Sequence, residues 1–236
     1  MNMPPLRNIL AATFLMLMTF PLHAATLLPP GGSVSPVQGG TVPANIDTFV
    51  IDDTGSDFFF APFAGAPFLA GHVDEAVLHD PFGLTCPTCL DFAFQVTNFS
   101  VSSFSVYQAV LGSFAGFTVN VGYAIDTGDI VPDSATRGGA GLGVGFHFGT
   151  DANPTLGPNQ DSVFLLIATN ATRYDSSGLL NIGGSNGGSC TTFDVNHCRG
   201  GQLSGLFAPT NAPEPSSALL LGLGLAGIAA FRKRLV

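Results

Sequence analysis

The residues of this chain best suited to chemistry are aspartates and cysteines in short, repeated patterns. Asp-Thr-Gly occurs twice, as Asp53-Thr-Gly-Ser56 and Asp126-Thr-Gly-Asp129. In an acid protease two such loops bring two carboxylates together to share a proton and activate a water, which would make Asp53 and Asp126 the pair. The contexts fit poorly. The loops are close together for a two-lobed enzyme, Asp52 stands where an apolar residue belongs, and Asp129 replaces the hydroxyl residue expected after the second glycine. Asp and Gly also build turns, the carboxylate capping the backbone and the glycine taking positive φ, and a turn between strands is the expectation for both. The same aspartates form two groups, Asp52/Asp53/Asp57 and Asp126/Asp129/Asp133. Calcium takes several loop oxygens of this kind, but neither group has EF-hand or nonapeptide-repeat spacing. Solvated turn carboxylates are expected, with no cofactor and calcium as the alternative.

The four cysteines, Cys86-Pro-Thr-Cys89 and Cys190…Cys198, form two local pairs. Four cysteines allow three connectivities; Cys86–Cys89 with Cys190–Cys198 is preferred because each pair is close in the chain. A thiol-redox role for Cys86-Pro-Thr-Cys89 needs a strand and helix of thioredoxin type, and no amphipathic helix lies beside it. A four-cysteine zinc site would need a regular second half-site, whereas Cys190 and Cys198 are separated irregularly around His197. Disulfides and an oxidising compartment are the expectation. His72, His79 and His147 are scattered without zinc-ligand spacing, and no Gly-x-Ser-x-Gly elbow is present. Asn98-Phe-Ser100 and Asn170-Ala-Thr172 match the glycosylation pattern.

The segments that hold these residues can be taken from the N-terminus. Arg7 precedes an uncharged apolar stretch over 9–20, followed by Pro21-Leu-His-Ala-Ala25. This order predicts a signal peptide over 1–25, too short in its apolar part for a comfortable span. From Ala25 to Ala212 three arginines face fifteen acidic residues, a net charge of −12 without a lysine. Such a surface repels phosphate backbones and excludes nucleic acid as a partner. Residues 26–45 are rich in Pro and Gly and read as an extended arm. In 46–207 bulky apolar residues alternate at 90, 92, 94 and 96, at 117, 119, 121, 123 and 125, and at 144, 146 and 148. A period of two defines a half-buried strand. Further strands are expected at 48–51, 71–78, 104–107 and 163–168, and no window has a capped helical period. The fold class is therefore all-β: an antiparallel β-sandwich, jelly-roll or Ig-like, flanked by an N-terminal signal helix and a C-terminal transmembrane helix.

After a linker at 208–212 comes a tail, 213–236. Pro213-Glu214-Pro215 leads into an uncharged apolar run at 216–231, closed by Arg232, Lys233 and Arg234. The embedded Gly222-Leu-Gly-Leu-Ala-Gly227 matches a dinucleotide fingerprint but has no strand before it and no βαβ unit after it. The tail resembles the PEP-CTERM sorting tail of bacterial surface proteins. More loosely, 71–172 resembles the β-domain that often accompanies such tails, through Leu90-Asp-Phe-Ala-Phe-Gln-Val-Thr-Asn98 and Phe117-Thr-Val-Asn-Val-Gly-Tyr123. As a helix, 216–231 would reach about 24 Å against a hydrocarbon core of about 30 Å. The basic cluster would stay cytoplasmic and leave Pro213, Glu214 and Pro215 on the outer face. The resemblance implies transient anchoring in the inner membrane, processing by an exosortase, and release to the cell surface or extracellular matrix with exopolysaccharide as a partner. The function expected is a non-enzymatic exported surface protein. The alternatives are a carbohydrate- or calcium-binding β-sandwich module and, remotely, an aspartic protease through Asp53 and Asp126.

Overall fold

Alternating strands of this kind must bury one face each, and a computed structural model shows how they do so. It describes residues 25–41, 49–79, 86, 88–125, 129–188, 190 and 197–210. The expected signal helix (save Ala25), the transmembrane helix at 216–231, the sorting residues Pro213, Glu214 and Pro215, the basic cluster Arg232–Arg234 and Asp126 lie outside the described residues. Among those described, no helix is long and apolar enough to cross a membrane.

The strands are β1 Thr26–Leu27, β2 Ser33–Val34, β3 Val37–Thr41, β4 Val50–Phe60, β5 Leu69–His79, β6 Leu90–Asn98, β7 Ser105–Gly112, β8 Val119–Ile125, β9 Ser134–Arg137, β10 Gly143–His147, β11 Gly149–Thr150, β12 Asn153–Pro154, β13 Gln160–Asp161, β14 Phe164–Thr169, β15 Tyr174–Ser185 and β16 Cys198–Pro209. One sheet runs β1-β8-β14-β6-β5-β4, with β13 also on β6 and β3 also on β8. The second runs β16-β15-β7-β10-β9-β2. Both contribute to one core: Phe94 of β6 meets Phe146 of β10 edge-on, ring centres 5.7 Å apart. Phe92 meets Phe114 in the same way at 5.7 Å. Phe92, Phe94, Phe104, Phe114, Phe146 and Phe148 are all fully buried, each burial favouring the fold by roughly 1.5–3 kcal/mol. The alternation therefore does what a period of two implies. In the central strands it does more: Asp91 and Ala93, on the opposite face of β6, are buried too, Ala93 packing in a second cluster with Leu78, Ala124 and Leu166.

Both open sides between the sheets are bridged. Among the described residues, the Pro/Gly-rich stretch expected as an extended arm contains paired strands: β1 joins β8 and β2 joins β9, in different sheets. β3 then lies parallel to β8, a departure from the antiparallel pairing of the other named strands. Glycine and proline masked this stretch, because its three strands are short and carry no alternation. Arg137 fastens it. Its buried guanidinium donates to the carbonyls of Leu28 (3.1 Å), Phe114 (2.8 Å), Phe117 (2.8 Å) and Gly141 (3.4 Å). On the other side, edge strands β4 and β16 approach each other. Tyr174 donates its hydroxyl to Asp52 at 3.2 Å, and Phe207 donates its N–H to Glu75 at 2.6 Å.

Candidate functional site

Cys86 is bonded to Cys89 and Cys190 to Cys198, the local pairing preferred from spacing. This removes both the redox pair in its reduced form and the four-thiolate zinc site.

Among the described residues, the aspartates of β4 are not gathered into one group. Asp53-Thr-Gly-Ser56 is in the middle of β4, Asp53 opposite Ala76 and Gly55 opposite Asp74 of β5. It is neither a protease loop nor the turn expected from its composition. Gly55 belongs there because the imidazole of His72 lies across it: a Cβ at Gly55 would be 2.8 Å from His72 Nε2. Successive strand residues point to opposite faces, so the first acidic group is divided. Asp52 turns toward Tyr174, while Asp57 lies outward against His72 Nδ1 at 2.5 Å. Asp74 approaches His72 Nε2 at 3.2 Å, and these carboxylates push the His72 pKa up, chiefly through the Asp57 hydrogen bond. In the second group, Asp133 Oδ2 accepts the Gly149 N–H at 2.5 Å. Among the described residues, no three of His, Cys, Asp and Glu converge as metal ligands. Of the two glycosylation patterns, Asn98 is fully buried and donates to the carbonyls of Phe104 and Leu156. Asn170 is exposed.

A concave site does exist, in a region the sequence left blank. Strands β7, β15 and β16 line a cleft of about 640 Å³ with Tyr107, Gln108, Asn181, Gln202 and the backbone of Gly183 and Gly200. Its geometry begins with a β-bulge. Gly183 pairs with Gln108 and Gly184 with Val106, so Tyr107 is the extra residue. Val106, Ala109 and Leu111 face the core, and the bulge turns both Tyr107 and Gln108 outward. Bulges re-aim side chains in this way. The Tyr107 ring lies against Gly183, where a Cβ would be 2.8 Å from the ring. Burial, together with the negative charge of Asp151, pushes the Tyr107 pKa up, so its hydroxyl stays neutral at ordinary pH.

The rim is tied by Cys190–Cys198 and, across from it, by the end of β4, where Phe60 covers Gly201 and Phe59 is largely exposed. Arg199 also borders the cleft, but its guanidinium is turned inward. Nε donates to Pro67 O at 3.1 Å, Nη1 to Cys198 O at 2.9 Å, and its central carbon lies 5.3 Å from the centre of the Phe104 ring. Gln202 Nε2 donates to Asn181 Oδ1 at 3.3 Å, and Gln108 Nε2 to Tyr107 Oη at 3.3 Å. Among the described residues the arrangement offers hydrogen bonds and an aromatic surface, without a nucleophile–base pair.

An acidic, disulfide-bonded all-β domain with a neutral polar cleft is thus what precedes the tail. The tail itself is recognised: residues 211–234 match the family model described as the PEP-CTERM protein-sorting motif. The chain therefore carries that motif, which implies export, processing by an exosortase (a membrane protease) and membrane-associated sorting to the cell surface. The match covers the tail and none of the strands. No curated protein and no solved structure matches the chain.

Proposed function

We propose that the protein is a non-enzymatic structural or adhesive component of the cell surface or extracellular matrix, associated with exopolysaccharide after its tail has been removed. The observation that carries this reading is the sorting motif at 211–234, joined to a domain cross-linked by two disulfides. Local cross-links suit a domain that works outside the cell. The division of Asp52, Asp53 and Asp57 along β4 supports a role without acid–base catalysis or a bound cofactor. Transient residence in the inner membrane belongs to the same proposal and is supported by the motif, with Arg232, Lys233 and Arg234 as the basic stop and Pro213, Glu214 and Pro215 as the sorting residues. The mass of the protein recovered from the surface fraction tests the proposal. Loss of the segment C-terminal to Pro213–Pro215 is expected; an intact tail in the inner-membrane fraction would contradict it.

The cleft favours a second reading in the same location, a carbohydrate-binding module. Its amide side chains and half-exposed tyrosine are the features that support it.

A further inference from the structure

We propose that the cleft between β7, β15 and β16 binds an uncharged oligosaccharide, with Tyr107 as the stacking surface and Gln108, Asn181 and Gln202 as partners for its hydroxyl groups. The proposal rests on the surface-located reading above and gives that reading a ligand class.

Sugar hydroxyls both donate and accept, and each amide side chain does the same from one planar group. Three amides on three adjacent strands make a row of such groups on one face. The 3.3 Å contact between Gln202 Nε2 and Asn181 Oδ1 uses one donor and one acceptor. Asn181 Nδ2 and Gln202 Oε1 remain free to engage a ligand. Both side chains are exposed, so contact requires no opening of the fold. Tyr107 supplies an apolar ring with a polar tip, the combination that covers the face of a sugar ring while its hydroxyl holds the edge.

The same residues argue against an anionic ligand. Arg199 has its guanidinium engaged by Pro67 O, Cys198 O and the Phe104 ring, and no lysine occurs between Ala25 and Ala212. A phosphate or uronate would enter a cleft without a counter-charge on a domain of net charge −12. The glycine backbone under Tyr107 and the disulfide at the rim hold the groups in place before binding, which lowers the ordering cost. The volume lies within the usual range of small-molecule sites.

The test is calorimetric titration of the full chain, held in a zwitterionic detergent without a sugar headgroup. The probes are neutral hexasaccharides of glucose (α- and β-linked), N-acetylglucosamine and mannose, with hexagalacturonate as the charged counterpart. At least one neutral probe should bind saturably. The double variant Asn181→Ala/Gln202→Ala should bind it at least tenfold more weakly with unchanged thermal unfolding, and Tyr107→Phe should retain more affinity than Tyr107→Ala. Three results would overturn the proposal: binding by none of the neutral probes, equal affinity in the double variant, or binding of hexagalacturonate alone. Correct tail removal in the surface fraction with no sugar binding would sink the cleft assignment and spare the sorting proposal. Sugar binding by a protein that keeps its tail in the inner membrane would do the reverse.

Discussion

Glu75 of β5 and Phe207 of β16 are joined across the space between the two sheets, the Phe207 N–H donating to Glu75 Oε2 at 2.6 Å. β16 is an edge strand, and this contact occupies a backbone donor that has no strand partner on that side. Burial pushes the Glu75 carboxyl up to about 8 from 4.5, the Phe207 hydrogen bond opposing it. An acid whose pKa is raised by folding binds its proton more tightly in the native state. The contribution of Glu75 to stability is therefore greatest below about pH 4.5 and declines as the pH rises toward 8, by an amount on the order of a few kcal/mol. Glu75→Gln keeps the acceptor and removes the charge. Urea unfolding at pH 4.5 and 8.5 should show a falling midpoint for the wild type and a smaller fall for the variant. Parallel behaviour of the two proteins would refute the assignment.

His72 shifts stability in the same direction, although it is the protonated form that is charged. Its imidazolium is held by Asp57 first and Asp74 second, so its pKa is raised above 6.5. A raised histidine stabilises the fold below its unfolded pKa and loses that contribution as the pH rises through the folded value. Both carboxylates are exposed and the His72 ring is partly so, so the stability change is small, and NMR titration of the ring is the sharper measurement. Asp57→Asn should bring the His72 pKa down toward 6.5. An unchanged titration would show that the contact is not formed in solution.

Replacing Arg137 should loosen the N-terminal strands before anything else. Arg137→Met leaves the buried carbonyls of Leu28 and Phe114 and the partly buried one of Phe117 without this donor, a loss of about 3 kcal/mol or more. Arg137→Lys should rescue little, because a single ammonium cannot reproduce the planar fork. Limited proteolysis should cut first near residues 26–34 in the Met variant. Wild-type resistance there would mean that strand pairing alone secures the segment.

The two disulfides should differ in worth. Cys190–Cys198 closes a separation of eight residues and Cys86–Cys89 one of three. Loop-closure entropy then gives about 2.5 kcal/mol for the first and about 2 for the second. Thermal unfolding of Cys190→Ser/Cys198→Ser and Cys86→Ser/Cys89→Ser checks the order. The first should also weaken any ligand of the cleft, since that bridge borders it.

Much of the fold can be read from the chain, and the exceptions share a cause. Leu90–Asn98, Val119–Ile125 and Gly143–His147 alternate plainly because bulky residues fill their core face. Tyr174–Ser185 and Cys198–Pro209 carry Gly183, Gly184, Gly200 and Gly201 where alternation would be diagnostic. There the missing side chains are replaced by neighbours: Tyr107 lies on Gly183, Leu69 on Gly184 and Phe60 on Gly201. The information resides in three distant residues and cannot be seen locally. For the same reason the cleft was invisible, since it is built on those strands and on a bulge set by strand pairing. Asp52-Asp-Thr-Gly-Ser-Asp57 read as a turn because its composition is that of one, and pairing along the whole of β5 overrode the preference. The cysteine pairing, by contrast, needed only short separations.

The ending of β16 sets a limit on what happens at the tail. The strand runs to Pro209, with Leu206, Phe207 and Ala208 buried, and the matched motif begins at residue 211. Even fully extended, the four steps from Pro209 to Pro213 cover no more than about 14 Å. With 216–231 anchored in the bilayer as proposed above, a leash that short would hold the β16 edge and its neighbouring strands close to the headgroups. Under that proposal, an exosortase acting near Pro213–Pro215 would work beside a folded wall of protein or before the last strand zips shut. The timing of that final pairing would then set when the protein is released.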